Sequence, residues 1–209
     1  SCLNTETMSA VSQNIVSLYT EATPNPNTLK FVANKMIFAE GQAELDRKEV
    51  EQAPFVAAIF NEFDYVTSAF VSNNFITLTK NDDTEWYEVM GEVRNFIKDY
   101  LGTDQTIFEQ AFIDKIKADT PALKGLEEDS DIEDKIAFIL DKYVRPGVAA
   151  DGGAIDFKSY DAEAKKVNLI MRGSCSGCPS SQVTLKNGVQ ALFERYLPEE
   201  VKEVEAVEE

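Results

Sequence analysis

Residues 173–181 read GSCSGCPSS and hold two of the three cysteines of a 209-residue chain that contains no histidine. The run KKVNLIMR before the pair has the alternation and β-branched content of a strand, and the run after it has helical spacing. A strand, a Cys-x-x-Cys loop and a helix are therefore expected in succession. Gly173 and Gly177 allow the backbone to fold tightly around the two sulfurs, and Pro179 suits the first helical position, where its missing N–H costs nothing. Unpaired N–H groups of the helix start, with Arg172 nearby, favour the thiolate form of both Cys175 and Cys178. The loop reads as built for ligation.

The sequence around this loop predicts an α+β fold of two small domains. In the second domain, residues 130–209, Ser130 and Glu133 have capping-box spacing ahead of a helix containing Ile132, Ile136, Ile139 and Leu140, and Arg145-Pro146 is expected to stop it. Asp151-Gly152-Gly153 predicts a tight turn, followed by two antiparallel strands in AIDFKSY and KKVNLIMR. The helix after Cys178 carries Val189, Leu192, Phe193 and Tyr196, and VKEVEAV closes an α-β-β-α-β order. Residues 103–129 combine a helix-capable IFEQAFIDKIKAD with TPALKGLEEDS, whose proline, glycine and acidic run mark a linker. In residues 14–102, NIVSLYT, LKFVA and KMIFA are strand candidates. PFVAAIFNEF begins a helix, YVTSAFV and FITLTK form a hairpin, and TEWYEVMGEVRNFIKDYLG is an amphipathic helix with Thr84 as cap. The TPNPNT segment reads as a turn and the aromatic run AAIFNEFDYVTSAF as core.

A net charge of -17 disfavours phosphate backbones and anionic lipid surfaces, so neither nucleic acid nor a membrane is an expected partner. No apolar run approaches the roughly 20 residues of a spanning helix. The start SCLNTETMSAVSQ lacks the basic and apolar regions of an export signal, and Met8 is a candidate natural start. The expected setting is cytoplasmic, a bacterial cytosol in preference to a mitochondrial matrix. Three cysteines do not make a disulfide framework. There is no Gly-rich phosphate loop, a His-based triad is impossible, and no carboxylate pair stands out, so no enzyme activity is expected.

The pair itself allows several readings. Free cysteines pack as small hydrophobes. A strand, Cys-x-x-Cys, helix order is also that of thiol-disulfide oxidoreductases, although too few elements follow Cys178 for a thioredoxin sheet. Zinc and iron-sulfur centres with all-thiolate ligation need four sulfurs, and this loop offers two, with Cys2 remote. A second copy related by a two-fold axis would complete the set. Ligand counting alone leaves a zinc-bridged dimer and a bridging iron-sulfur cluster both open.

RPGVAADGG and VNLIMRGSCSGCPSSQVTLKNGVQALFERYLPEEVKEVEAV closely resemble the NifU C-terminal (Nfu) domain: Arg145, Pro146 and residues 151–153, 173, 175–181 and 184–188 fall on that family's motif positions. TPNPNTLKF, APFVAAIF and AFVSNNFITLTKND resemble the Nfu N-terminal domain. Ala154 and Met171-Arg172 depart from the more usual residues, while the cysteine positions themselves match. The resemblance implies an iron-sulfur cluster carrier that holds a [4Fe-4S] cluster, with [2Fe-2S] as the other form allowed, between two subunits through Cys175 and Cys178. An upstream assembly scaffold would load it, and client apoproteins would receive the cluster. On this reading the cysteines are ligands outside the core, so replacing either should leave the fold intact.

Overall fold

The computed structural model describes residues 15–119 and 130–208. Cys2, Met8 and most of the TPALKGLEEDS linker lie outside the described residues. The first half is an antiparallel sheet of β1 (Leu18–Ala22), β2 (Thr28–Ala33), β3 (Phe38–Asp46), β4 (Val66–Asn73) and β5 (Phe75–Lys80), in the spatial order β1-β2-β5-β4-β3. Helices α1 (Pro54–Glu62) and α2 (Trp86–Gly102) contribute to its core.

Period-two alternation sorts the side chains of this sheet. Leu29, Phe31, Ala33, Ala69, Val71, Ile76 and Leu78 enter the core shared with Phe55, Ile59, Val93 and Ile97. Lys30, Val32, Phe70, Phe75 and Thr77 occupy the alternate positions, yet these too are buried. A strand such as β2, buried along its whole length, requires cover on both sides. The second half of the chain provides it.

Several expectations shift here. The KMIFA strand begins at Phe38 and runs on through a register irregularity between Phe38 and Gln42 as far as Asp46. The cap of α2 is Glu85, not Thr84, and makes no side-chain cap bond. The helix foreseen in IFEQAFIDKIKAD forms as α3 (Gln110–Asp119), and its Phe112, Ile113 and Ile116 pack against the first core, which the reading as linker did not anticipate.

The second half contains α4 (Ile132–Ile139), a π turn (Leu140–Val144), α5 (Arg145–Ala150), β6 (Gly153–Asp161), β7 (Lys166–Gly173), α6 (Pro179–Tyr196) and β8 (Glu203–Ala206). β6 pairs antiparallel with β7, and β8 adds to β7 in parallel. The capping box is not used: Asp131 is the cap residue and makes no side-chain cap bond. Pro146 does not stop the helix either. A proline lacks the N–H and crowds the carbonyl four residues back, and a widened π turn before it relieves both demands. Ile136, Ile139, Leu169, Val189 and Phe193 form the second core.

Candidate cysteine site

The loop is set by paired glycines. Gly153 lies opposite Gly173 in the β6–β7 ladder, and Gly173 adopts φ +63° at the end of β7 while Gly152 adopts φ +82° ahead of β6. A side chain on Gly173 would stand 2.6 Å from the Gly152 carbonyl oxygen. Only a residue without Cβ meets both demands.

From there the chain turns immediately. The Cys175 N–H donates to the Arg172 carbonyl at 3.3 Å and the Ser176 N–H to the Gly173 carbonyl at 3.2 Å. Ser174 anchors the turn to the β6 side, its hydroxyl donating to the Asp151 carbonyl at 2.5 Å. Gly177, at φ +76°, then redirects the chain outward, and Cys178 becomes the cap residue of α6.

This path gives the two sulfurs different surroundings. Cys178 is partly exposed; the Ser181 hydroxyl donates to its sulfur at 3.4 Å and the Ser180 hydroxyl lies at 3.5 Å. Those hydroxyls, with the N–H groups of Ser181 and Ser180, draw its thiol down to about 7. Cys175 is 7% exposed and belongs to the second core with Ile155, Met171 and Val189. Burial pushes its thiol up to about 11, with the carboxylates of Asp151 and Glu44 adding to the effect. The expectation of thiolate character thus holds for Cys178 and fails for Cys175, because the turn at residues 173–176 aims that side chain inward. The expectation that both cysteines lie outside the core fails for the same reason.

Arg172, expected beside the cysteines as a cation, forms an ion pair with Asp156 at 2.6 Å. Gln42 donates to the other oxygen of that carboxylate at 2.7 Å.

The sequence gives no sign that the first half reaches this loop. The Gly173 N–H donates to the Glu44 carboxylate, and the Asn25 amide donates to the Ser176 carbonyl at 2.9 Å. Asn25 belongs to the TPNPNT turn. Its carboxamide oxygen accepts from the Asn27 N–H at 3.0 Å, so one side chain shapes the turn and touches the loop. Among the described residues, no group of three or more His, Cys, Asp or Glu side chains is placed to hold a metal ion. Among them, too, no helix is long and apolar enough to cross a membrane.

Two family models match the chain: the scaffold protein Nfu/NifU N-terminal domain over residues 18–104 and the NifU-like domain over residues 136–205. The chain is 34% identical over 189 residues to NifU-like protein 4, mitochondrial, of Arabidopsis thaliana, covering 90% of this chain and 65% of that protein. It is 34% identical over 208 residues to the NFU1 iron-sulfur cluster scaffold homolog, mitochondrial, of Drosophila persimilis, covering 99% of this chain and 70% of that protein. A NifU-like protein of Schizosaccharomyces pombe is 35% identical over 182 residues, covering 86% of this chain and 68% of that protein. The chain spans 65% and 66% of the two Arabidopsis relatives it matches. The expectation of a bacterial cytosol is overturned, since the plant and insect relatives carry mitochondrial designations.

Proposed function

Because this chain belongs to the family of Nfu/NifU-like scaffold proteins, we propose that it binds an iron-sulfur cluster through Cys175 and Cys178 and hands it to recipient apoproteins. The setting proposed is mitochondrial, after the designations of its relatives. Residues 130–209 form the cluster-binding domain, joined through residues 103–129 to the N-terminal domain.

The observation that carries this reading is the incomplete ligand set. Two soft thiol donors sit three residues apart, and among the described residues no further ligand stands near enough to complete a metal site. A four-thiolate cluster then takes two ligands from each of two copies of the chain. Cargo held this way leaves readily. A recipient's cysteines replace one copy's thiolates stepwise, whereas a centre enclosed in one chain would resist exchange. The Cys178 thiol, near 7, is ionised in a large fraction of molecules at neutral pH and is the first to meet iron. The [4Fe-4S] form is proposed because it is the one the family resemblance implies, and the net negative charge of a thiolate-bound cluster is one that the N–H groups at the start of α6 favour.

Anaerobic reconstitution with iron and sulfide, followed by metal analysis and sedimentation, tests the proposal. About two irons and two sulfides per chain in a dimer support it, with the metal-free chain a monomer. About half a zinc per chain without a stable cluster points to a zinc-bridged dimer instead. Catalytic reduction of insulin disulfides that depends on Cys175 and Cys178 points to an oxidoreductase.

A further inference from the structure

The face of the first sheet that turns away from its own core is covered by the second half of the chain. Val32, Phe70 and Phe75 make a small apolar cluster with Ala154 and Ala149 of the second half. Beside it Lys30 is buried, its ammonium donating to the Ala150 carbonyl at 3.1 Å, pairing with Glu21 at 3.3 Å and lying over the Phe75 ring. The two surfaces fit closely at glycines. A side chain on Gly152 would stand 2.8 Å from the Thr77 hydroxyl, and one on Gly173 would stand 3.1 Å from the Phe70 ring.

Two further contacts from the first half bracket Cys175. Glu44 accepts from the Gly173 N–H, two residues before it, and Asn25 donates to the Ser176 carbonyl, one residue after it. With both in place the Cys175 side chain remains inside the second core. A centre shared by two copies needs this sulfur at the surface. Bringing it out moves residues 174–176, which breaks the Asn25 contact and disturbs the Glu44 contact. The Glu44 carboxylate also sets a negative charge beside a site that is to receive an anionic cluster. Docking and loading therefore oppose one another, and the opposition is reciprocal because it is a coupling between two equilibria.

We propose that the first half of the chain is a latch: docked, Glu44 and Asn25 hold the cysteine loop closed with Cys175 inside, and a shared cluster forms only when this face is released. The proposal rests on the cluster-binding reading above. The limited apolar cluster and the polar character of the remaining contacts suit an interface that opens and closes, as interfaces between domains of one chain commonly do.

The test uses the full-length chain in three forms: wild type, the double variant Asn25→Ala/Glu44→Ala, and Val32→Asp, which places a charge in the apolar cluster and leaves the first core untouched. Circular dichroism checks that each is folded. The first readout needs no cluster: alkylation of Cys175 by iodoacetamide in the metal-free chain, located by fragment mass spectrometry. Both variants are expected to raise its rate on the order of ten-fold, a coupling of ordinary size. The second is the fraction of chains loaded at limiting iron and sulfide, expected to rise several-fold in both.

Unchanged Cys175 alkylation in both variants, or loading below that of wild type, overturns the latch. If no form takes up a cluster, the carrier reading fails, and the alkylation rates alone still decide whether the first half holds the loop closed.

Discussion

The sulfur of Cys175 occupies the space in which a side chain on Gly153 would stand. The first residue of β6 is thereby tied to the cysteine loop through direct packing, in addition to its ladder position opposite Gly173. Gly153→Ala introduces a methyl group that overlaps this sulfur and lies 2.9 Å from the Arg172 carbonyl oxygen. It should lower the stability of the second half by about 1–3 kcal/mol, the usual range for overpacking. Urea unfolding followed by fluorescence and circular dichroism measures the loss. Cys175→Ala in the same chain should recover part of it, and a strictly additive pair would contradict the packing assigned here.

Replacing the two cysteines by serine should have unequal consequences for the fold. Cys178→Ser alters a partly exposed group and should leave the unfolding midpoint close to that of wild type. Cys175→Ser puts a hydroxyl into an apolar core and should cost about 1–3 kcal/mol. Both should lose cluster uptake. Equal midpoints for the two variants would mean that the Cys175 side chain is not packed inside.

The metal-free chain should show two distinct thiol reactivities on this loop. Cys178, near 7, should be alkylated readily at neutral pH, with half its maximal rate close to pH 7. Cys175 should be labelled far more slowly across the same range. Ser180→Ala together with Ser181→Ala removes the hydroxyls that draw the Cys178 value down, so its rate profile should move to higher pH. A profile that stays in place would assign the effect to the helix start alone.

Alkaline solution should weaken the second half in a way that depends on Cys175. In the unfolded chain this thiol ionises near its ordinary value of 9.0, whereas in the folded chain it keeps its proton up to about 11. Between these values the unfolded state binds fewer protons, so the thiol's contribution is complete below about pH 9 and declines as pH rises toward 11. Cys175→Ala removes this contribution. The difference in unfolding free energy between wild type and variant, followed from pH 8 to about 11, should shrink or change sign, and a difference independent of pH would contradict the assignment.

Local patterning made most of the architecture legible. Alternation in LKFVA and FITLTK, helical spacing from Trp86 to Tyr100 and the Asp151-Gly152-Gly153 turn correspond to β2, β5, α2 and the connection into β6. What escaped had a physical cause in each case. FAEGQAELD breaks strict alternation because its pairing shifts between Phe38 and Gln42. The helix through Arg145-Pro146 continues because a π turn absorbs the proline. For the site, the glycines at positive φ were foreseeable from the loop's composition. The inward course of Cys175 depends on tertiary packing. The bond between Glu44 and Gly173 joins positions 129 residues apart, a separation at which no sequence periodicity applies.

The cover on the outer face of the first sheet also has a consequence for synthesis. Phe75, the last of the three first-half members of that apolar cluster, leaves the ribosome roughly 80 residues before Ala154, an interval of about 4–16 s at ordinary rates of translation. Once Lys80 has followed and completed β5, the first sheet has all its strands and still lacks its cover, leaving Val32, Phe70 and Phe75 unshielded. A nascent chain arrested within this interval should therefore adhere to chaperones that bind exposed apolar surface, and release should follow once residues 149–154 have emerged and folded back.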